Sequence, residues 1–538
     1  MILPALAAAA GGLLLSLAFP PARFDLLIWI AFLPLFWALD HAKRPASALY
    51  LGILFGLTFS LVDVNWVYHT VTVHGGFGPV GGAALYVSMA LTLALFPGVF
   101  ALVVTYLGRR GWSLGIAAPF VWTAVEYARA VAFTTFPWDL VGYSQVGRLP
   151  IVQIADITGV YGISFLVVLV NGTLWEVLRR VTAGKKFPVR LVGVTVLLFL
   201  SALAYGAVRL SQYPPPRPRQ DDFPVGVLQG DIPQEMKWNP DALEYTFLTY
   251  KRLGRAAVEN GAKLLIWPET SVPLVFGPTT KAWKIPGAIS RGLGVPMLVG
   301  APSERKADGK SSYFNSAFLV DRSSLRFRYD KIRLVPFGEY MPFSWLLPLG
   351  PGMAARQGDY TPGRKMTVMH VEGCPPFSVL ICYEAIFPDL AALALKNGAR
   401  MLVNITNDAW FGESAAPYQH LGMARMRSIE DRVWFLRSAN TGVSAAFDRA
   451  GRVIQKIPLD MCGQFVVRVP ERAQAGSFYS RFGDLFAWVC VLTVMVAFIP
   501  RLRPRLFRAG PVAAYSRSGP ARTAVRSAGR SEEKGGGT

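Results

Sequence analysis

Pro376-Phe-Ser-Val-Leu-Ile-Cys382-Tyr-Glu384 is an apolar, partly β-branched run that stops at a cysteine. From Ala385 to Lys396 apolar residues recur at helical spacing, and Gly398 ends the repeat. The pattern predicts strand, tight turn, helix. Cys382 then lies close to a helix N-terminus, whose partial positive charge favours thiolate over thiol. A thiolate so placed is a candidate nucleophile that needs a base and an oxyanion stabiliser from elsewhere. Taken alone, the stretch reads more readily as a buried, inert cysteine.

Working outward, strands and helices alternate. Candidate strands are 224–228, 263–267, 296–299, 314–320, 377–381, 401–405, 433–438, 444–447 and 465–469; candidate helices are 240–260, 281–292, 385–397 and 420–432. Such alternation predicts an α/β layered domain. Three of the strands end in polar groups: Glu269 after Trp267-Pro268, Cys382, and Asn404 with Asn407-Asp408. Sites in α/β sheets are built at the carboxyl ends of strands, so these three ends point to one shared cleft.

The rest of the chain is too apolar for a soluble enzyme. Of 538 residues 52% are hydrophobic without counting 51 glycines, against about 45–50% with glycine in an average globular chain. The excess lies in seven runs at 3–19, 24–40, 46–66, 83–107, 114–134, 160–178 and 189–208, and in an eighth at 484–500. Most approach the roughly 20 residues needed to cross a bilayer. The first run lacks the basic flank of a cleavable signal and is read as a span. The domains expected are thus a seven-span region (1–211), a Pro-rich linker (212–222), the α/β domain (223–475), the eighth helix (484–500) and a basic disordered tail (501–538).

Charge orients this arrangement. The loops after the second, fourth and sixth runs carry nine Lys/Arg, and those after the first, third and fifth carry two. Positive loops stay inside, which puts the α/β domain outside the cytoplasm and the tail within it. The tail's nine Lys/Arg against two Glu supply a third of the net charge of +21; directly after an apolar run they suit anionic lipid headgroups, not nucleic acid. The four cysteines are too few for a disulfide scaffold, although a Cys374–Cys462 bridge stays open. No metal or cofactor is expected. Asp63-Val-Asn65-Trp66 and Phe136-Pro137-Trp138-Asp139, with Glu126 and Arg129, fit either an aromatic belt with an ion pair or a polar mouth for a lipid headgroup.

Within the α/β domain, Glu269 is the candidate general base, set among rigid apolar neighbours. Lys331, with Arg333 as competitor, lies in a loop mixing charge with large apolar residues. A lysine beside a thiolate lowers the thiol pKa and can stabilise a tetrahedral oxyanion. Glu339, eight residues on, is placed to hold that lysine protonated. The Tyr383 N–H is a second oxyanion donor, and Glu384 orients the turn or guards the site.

Trp267-Pro268-Glu269, then Asp330-Lys331 with Pro336-Phe337-Gly338-Glu339, then Ile381-Cys382-Tyr383-Glu384 resembles the Glu–Lys–Cys order of the nitrilase (carbon–nitrogen hydrolase) superfamily. More narrowly, the chain resembles the apolipoprotein N-acyltransferase family. That likeness rests on Gln229–Gln234 with Lys237-Trp238, Asn407–Gly412, Gln419-His420 with Met423–Arg427, Asn65–Tyr68 and Phe136–Trp138 with Gly142–Gln145, and runs to about residue 500. The resemblance implies a four-layer αββα sandwich beside the helical bundle and a Glu269–Lys331–Cys382 triad supported by Glu339. It also implies that Trp238, Tyr383 and Glu384 surround the substrate cleft. The activity implied is acyl transfer from a membrane phospholipid, through a Cys382 thioester, to the N-terminal amine of a diacylated apolipoprotein. The place implied is a bacterial cytoplasmic (inner) membrane, without cofactor, and a monomer is expected. Gates at 73–82 and 343–358 are expected. The competing enzyme is a membrane-tethered amidase or nitrilase acting on a small amide. A transporter or scaffold is the non-enzymatic alternative, but it leaves the three polar residues without a role.

Overall fold

The protein is described here by a computed structural model covering residues 1–132, 135–277, 280, 282–307, 309–322, 324–340 and 360–499. The expected gate at 343–358 and the tail from 501 lie outside the described residues.

The apolar runs are helical: Ile2–Ser16, Leu33–Asp40, Pro45–Asp63, Pro79–Arg109, Leu114–Val131, Val160–Thr182, Val189–Gln212 and, after the α/β domain, Leu485–Ala497. Among the described residues four of them, Pro45–Asp63, Pro79–Arg109, Val160–Thr182 and Val189–Gln212, are long and apolar enough to cross a membrane. The eight expected spans are therefore seen in part. The run at 24–40 breaks into a 3₁₀ turn, Asp25–Trp29, and the eight-residue helix Leu33–Asp40. Pro34 lies in the first turn of that helix, where its missing N–H would have no intrahelical acceptor in any case. Leu485–Ala497 has 13 residues, about 20 Å at the α-helical rise. Leu114–Val131 carries the charged Glu126 and Arg129.

The α/β domain is built on twelve strands: β1 (Phe223–Gln229), β2 (Leu264–Ile266), β3 (Met297–Ala307), β4 (Lys310–Asp321), β5 (Ser324–Asp330), β6 (Val368–Met369), β7 (Phe377–Ile381), β8 (Met401–Thr406), β9 (Trp434–Ala439), β10 (Ser444–Phe447), β11 (Val453–Ile457) and β12 (Gly463–Val469). They form two six-stranded sheets, ordered β12-β1-β2-β3-β4-β5 and β11-β10-β9-β8-β7-β6. Each has three parallel strands at its centre, β1-β2-β3 or β7-β8-β9, with antiparallel strands outside. Of the central strands β1, β2, β7, β8 and β9 are buried throughout, and β3 is buried as far as Ser303, as in sheets covered on both faces. The sheets face one another: Ser438 Oγ on β9 donates to the Leu228 carbonyl of β1 at 2.7 Å. Leu243–Glu259 and Lys284–Leu293 cover the first sheet, and Pro388–Lys396 and Ala416–Glu430 the second. This is the αββα sandwich of a nitrilase-like domain.

Two local expectations are corrected. No α-helix begins at Ala385: β7 is followed by one 3₁₀ turn, Cys382–Ile386, and the helix starts at Pro388. Phe387, held out of the helical region by the following proline, is extended with φ −96° and ψ 109°. Strands β5, β6 and β11 were not among those expected. β5 and β11 are mostly exposed or half-buried and mix polar with apolar residues, and β6 has two residues. The cysteines Cys374 and Cys462 are unpaired.

Candidate active site

β7 and β8 run in parallel register, Phe377 opposite Met401 and Ile381 opposite Ile405. Their carboxyl ends are flush, so Cys382 and Thr406 follow one another across the two strand ends. Cys382 has φ +52°, in the left-handed region that ordinary residues avoid. Such strain persists only where surrounding contacts impose it. From the facing sheet, β2 delivers Glu269 and β5 delivers Lys331, both at strand ends and both buried.

The Lys331 ammonium donates to Glu339 Oε1 at 3.0 Å and lies 2.9 Å from Oε2; Glu269 Oε1 is 3.8 Å away. Burial opposes its charge, but Glu339, Glu269 and Cys382 outweigh burial and hold Lys331 above the ordinary lysine range. Glu269 is fixed on both oxygens: Asn315 Nδ2 donates to Oε1 at 2.7 Å and the Asn407 N–H to Oε2 at 2.9 Å. Asn315 also donates to Glu339 Oε1 at 2.7 Å, so one amide spaces the two carboxylates that flank the lysine. The thiol is not resting as a thiolate. Burial, then the Glu269 charge, push Cys382 up to about 12 against the pull of Lys331. The missing helix N-terminus removes the dipole that favoured ionisation. For such a thiol to act as a nucleophile it needs a proton acceptor, and Glu269 is the anion that it senses most strongly.

The other expected residues divide. Glu384 is fully buried behind the turn; Oε2 accepts from the Ile381 N–H at 2.7 Å, while Oε1 accepts from the Ile332 N–H at 2.6 Å and from Tyr329 OH at 2.8 Å. It staples the cysteine turn to the loop that carries Lys331, and burial raises it to about 7. The Tyr383 ring lies between Phe136, 6.4 Å away and stacked, and Phe387 at 4.9 Å. Trp238 is 42% exposed. Arg333 pairs with Asp389 at 2.5 Å and stacks on Phe387, away from the cluster.

Sequence reasoning missed Lys237. It is buried, donates to the Glu269 backbone carbonyl at 3.0 Å, and is lowered to about 8 by burial in spite of Glu269 and Cys382. Its place beside Trp238 in a quoted motif was the only signal. Also missed was a buried polar chain behind the cysteine. His420 Nε2 lies 3.1 Å from the Cys382 carbonyl oxygen, and Nδ1 faces Asp408 Oδ1 at 3.2 Å and Arg437 Nη2 at 3.1 Å. Arg437 Nη2 donates to Asp408 Oδ2 at 2.6 Å, and Nη1 to Asn404 Oδ1. Among the described residues no group of three or more His, Cys, Asp or Glu is arranged to hold a metal ion.

The bundle meets this site through the 136–141 segment. Arg129 donates to the Trp138 carbonyl at 2.8 Å, and Glu126 accepts from the Val141 N–H at 2.7 Å. The two charges thus hold the segment that carries Phe136 and Trp138. Trp138 Nε1 donates to Gln419 at 3.0 Å, and Gln419 donates to Asp63 at 3.0 Å.

Known proteins share this composite. Residues 11–173 match the apolipoprotein N-acyltransferase N-terminal domain, and residues 225–470 match the carbon-nitrogen hydrolase family. The apolipoprotein N-acyltransferase of Geobacter metallireducens is 40% identical over 90% of this chain and 93% of its own. That of Methylococcus capsulatus is 34% identical over 84% and 88%. Among solved structures, a mutant of the Nesterenkonia AN1 amidase of the nitrilase superfamily is similar over 49% of this chain and 95% of its own, at 19% identity and a TM-score of 0.37. With two family models in tandem and relatives matched over nearly their whole length, the chain belongs to the apolipoprotein N-acyltransferase family.

Proposed function

We propose that this protein acylates the N-terminal amine of a diacylglyceryl-cysteine on apolipoproteins, taking the acyl chain from a membrane phospholipid. Glu269 accepts the Cys382 proton as sulfur attacks the ester carbonyl. The oxyanion is held by the Lys331 ammonium and the Tyr383 N–H. The ester C–O bond breaks, the Glu269 proton passes to the departing lysophospholipid, and Cys382 is left as a thioester. The acceptor's amine then attacks, the C–S bond breaks, and Glu269 takes the ammonium proton. The observation that carries this reading is the buried Glu269–Lys331–Cys382 cluster, next to whose cysteine Tyr383 stacks on Phe136 of the segment that follows an apolar helix. Phospholipid and lipoprotein are both bilayer-anchored, so a cleft beside that segment receives them and keeps water from the thioester.

The same reading takes the eight helical runs as spans of the bacterial inner membrane. It places the sandwich (223–475) on the extracytoplasmic side and the tail (501–538) in the cytoplasm, and it takes the enzyme as a monomer. Purified protein given labelled phospholipid should accumulate a hydroxylamine-sensitive acyl-enzyme, and Cys382→Ser should abolish it. Full N-acylation by Cys382→Ala, or release of ammonia from small amides with no acyl-lipid intermediate, contradicts the reading.

A further inference from the structure

The chain of buried polar groups behind Cys382 ends on one atom, the Cys382 carbonyl oxygen. It faces His420 Nε2 at 3.1 Å and Asn404 Nδ2 at 3.4 Å. His420, Asn404, Asp408 and Arg437 are all buried. Their partners settle which way the imidazole is protonated. The Cys382 carbonyl can only accept, so in the neutral ring Nε2 carries the hydrogen; Nδ1 then faces a donor, Arg437 Nη2 at 3.1 Å, and an acceptor, Asp408 Oδ1 at 3.2 Å. Burial and then Arg437 hold His420 below the ordinary histidine range, which keeps this neutral form. Arg437 is fixed in turn by Asp408 Oδ2 at 2.6 Å and by Asn404 Oδ1. Asn404 also donates to the Leu380 carbonyl at 2.8 Å.

The Cys382 carbonyl and the Tyr383 N–H belong to one peptide unit. In a planar trans peptide they point in opposite directions. Drawing the carbonyl back into the protein therefore aims the N–H forward. Tyr383 is the second residue of the 3₁₀ turn, where a helix has no internal acceptor for its N–H. Cys382 at φ +52° needs such an anchor, since that conformation is disfavoured for a residue with a side chain.

We infer that His420, backed by Arg437 and Asp408 and assisted by Asn404, is a positioning residue that locks the 382–383 peptide so that the Tyr383 N–H serves as an oxyanion donor. The inference rests on the thioester reading above. It assigns His420 no contact with substrate. Its action falls on steps that pass through an oxyanion and not on the reactivity of sulfur itself. Alkylation of Cys382 by iodoacetamide attacks a saturated carbon and forms no oxyanion, so the two roles separate experimentally.

The test uses the full-length enzyme in phospholipid nanodiscs, with two rates measured on each variant: single-turnover acyl-enzyme formation from labelled phospholipid, and Cys382 alkylation by iodoacetamide. His420→Leu should slow acylation about 100-fold, the usual effect of losing one oxyanion donor, while alkylation stays within about threefold. His420→Gln, whose amide can donate to the same carbonyl, should recover at least about tenfold of the lost acylation rate. Should His420→Leu fail to accumulate, His420→Asn, whose amide stops short of the carbonyl, replaces it in the comparison with His420→Gln. Acylation and alkylation falling together, acylation unchanged, or no recovery in His420→Gln overturns the assignment. Cys382→Ala separates this from the parent reading: if it still acylates, the thioester is wrong. If it is inactive while His420→Leu is fully active, only the role of His420 fails.

Discussion

A thiol pushed to about 12 cannot be the resting nucleophile at neutral pH, so chemistry at Cys382 depends on Glu269 twice. As an anion Glu269 suppresses the thiolate; in the base role proposed above it creates one when substrate arrives. The two effects have opposite signs in one variant. In Glu269→Gln the like charge beside the sulfur is gone and the thiol pKa falls. Alkylation at pH 8 should therefore be faster than wild type, while acyl transfer falls by about 10²–10⁴-fold with the loss of general base catalysis. In the wild type, alkylation should keep rising with pH through 10 without a plateau, because the thiol's midpoint lies above that range. Slower alkylation in Glu269→Gln, or a plateau near pH 8, contradicts this account. Lys237 makes a second test. Its bond to the Glu269 carbonyl fixes the backbone of the base, not its carboxylate, so Lys237→Met should lower kcat without abolishing alkylation. At this scale Glu269 and Cys382 were legible as candidates because each stands where an apolar run ends in a polar residue, and Lys331 because its loop mixes charge with large apolar residues. Asn315 was not, and Asn407 was legible as a strand-end polar group without its tie to Glu269. Neutral amides carry no charge pattern, and their bonds to Glu269 cross 46 and 138 residues of chain.

Between residue and molecule, the geometry of the site is set by how closely β2 and β3 approach. Gly300 on β3 lies against the turn that bears Glu269. A Cβ there would come 2.6 Å from the Thr270 nitrogen, 2.7 Å from the Glu269 Cα and 2.8 Å from the Pro268 carbonyl oxygen. All three are backbone atoms, so no side-chain rotation relieves the clash, and Gly300→Ala must displace the base. A displacement of about 1 Å at a catalytic group can cost 10²-fold in rate. Acyl-enzyme formation should fall by that order while iodoacetamide still modifies Cys382; a Gly300→Ala enzyme with unchanged acylation shows that the Glu269 turn has slack. The strands of this framework were readable from buried apolar runs: β7 and β10 have the expected limits. What escaped reading was the end of β7. Periodicity ran on through Cys382–Ile386 into Pro388–Lys396 as though one helix held both. The break is made by Glu384, whose carboxylate takes the Ile381 N–H, and by Phe387 ahead of a proline. Neither leaves a mark on hydrophobic spacing.

At the scale of the whole chain, two architectures meet through buried ion pairs whose halves are far apart in sequence, and hydropathy reports only the architectures. The Asp156 carboxylate is the densest such junction. Asp156 is buried, and Oδ2 accepts from Arg432 Nη2 at 2.8 Å and from Arg209 Nη2 at 2.5 Å; Oδ1 accepts from Tyr205 OH at 2.8 Å. Arg432 follows the Ala416–Glu430 helix of the sandwich, and Tyr205 and Arg209 lie on Val189–Gln212, so one carboxylate ties the catalytic domain to two parts of the bundle. Arg148–Asp25 is the contrasting case, 2.7 Å apart with side chains 48% and 23% exposed. Water compensates an exposed pair when it is broken, so such a pair adds little to stability. Removing the anion from a buried one strands a charge at a cost of about 3–5 kcal/mol. Asp156→Asn is near-isosteric and leaves Arg432, with no exposure, facing a neutral amide. It should lower the melting temperature of the purified full-length protein well beyond the effect of Asp25→Asn, which should leave it nearly unchanged. The same variant should expose the junction to limited proteolysis in the 213–222 linker. Equal shifts for the two substitutions would mean that the domains are held together by apolar contact alone, with Asp156 a bystander.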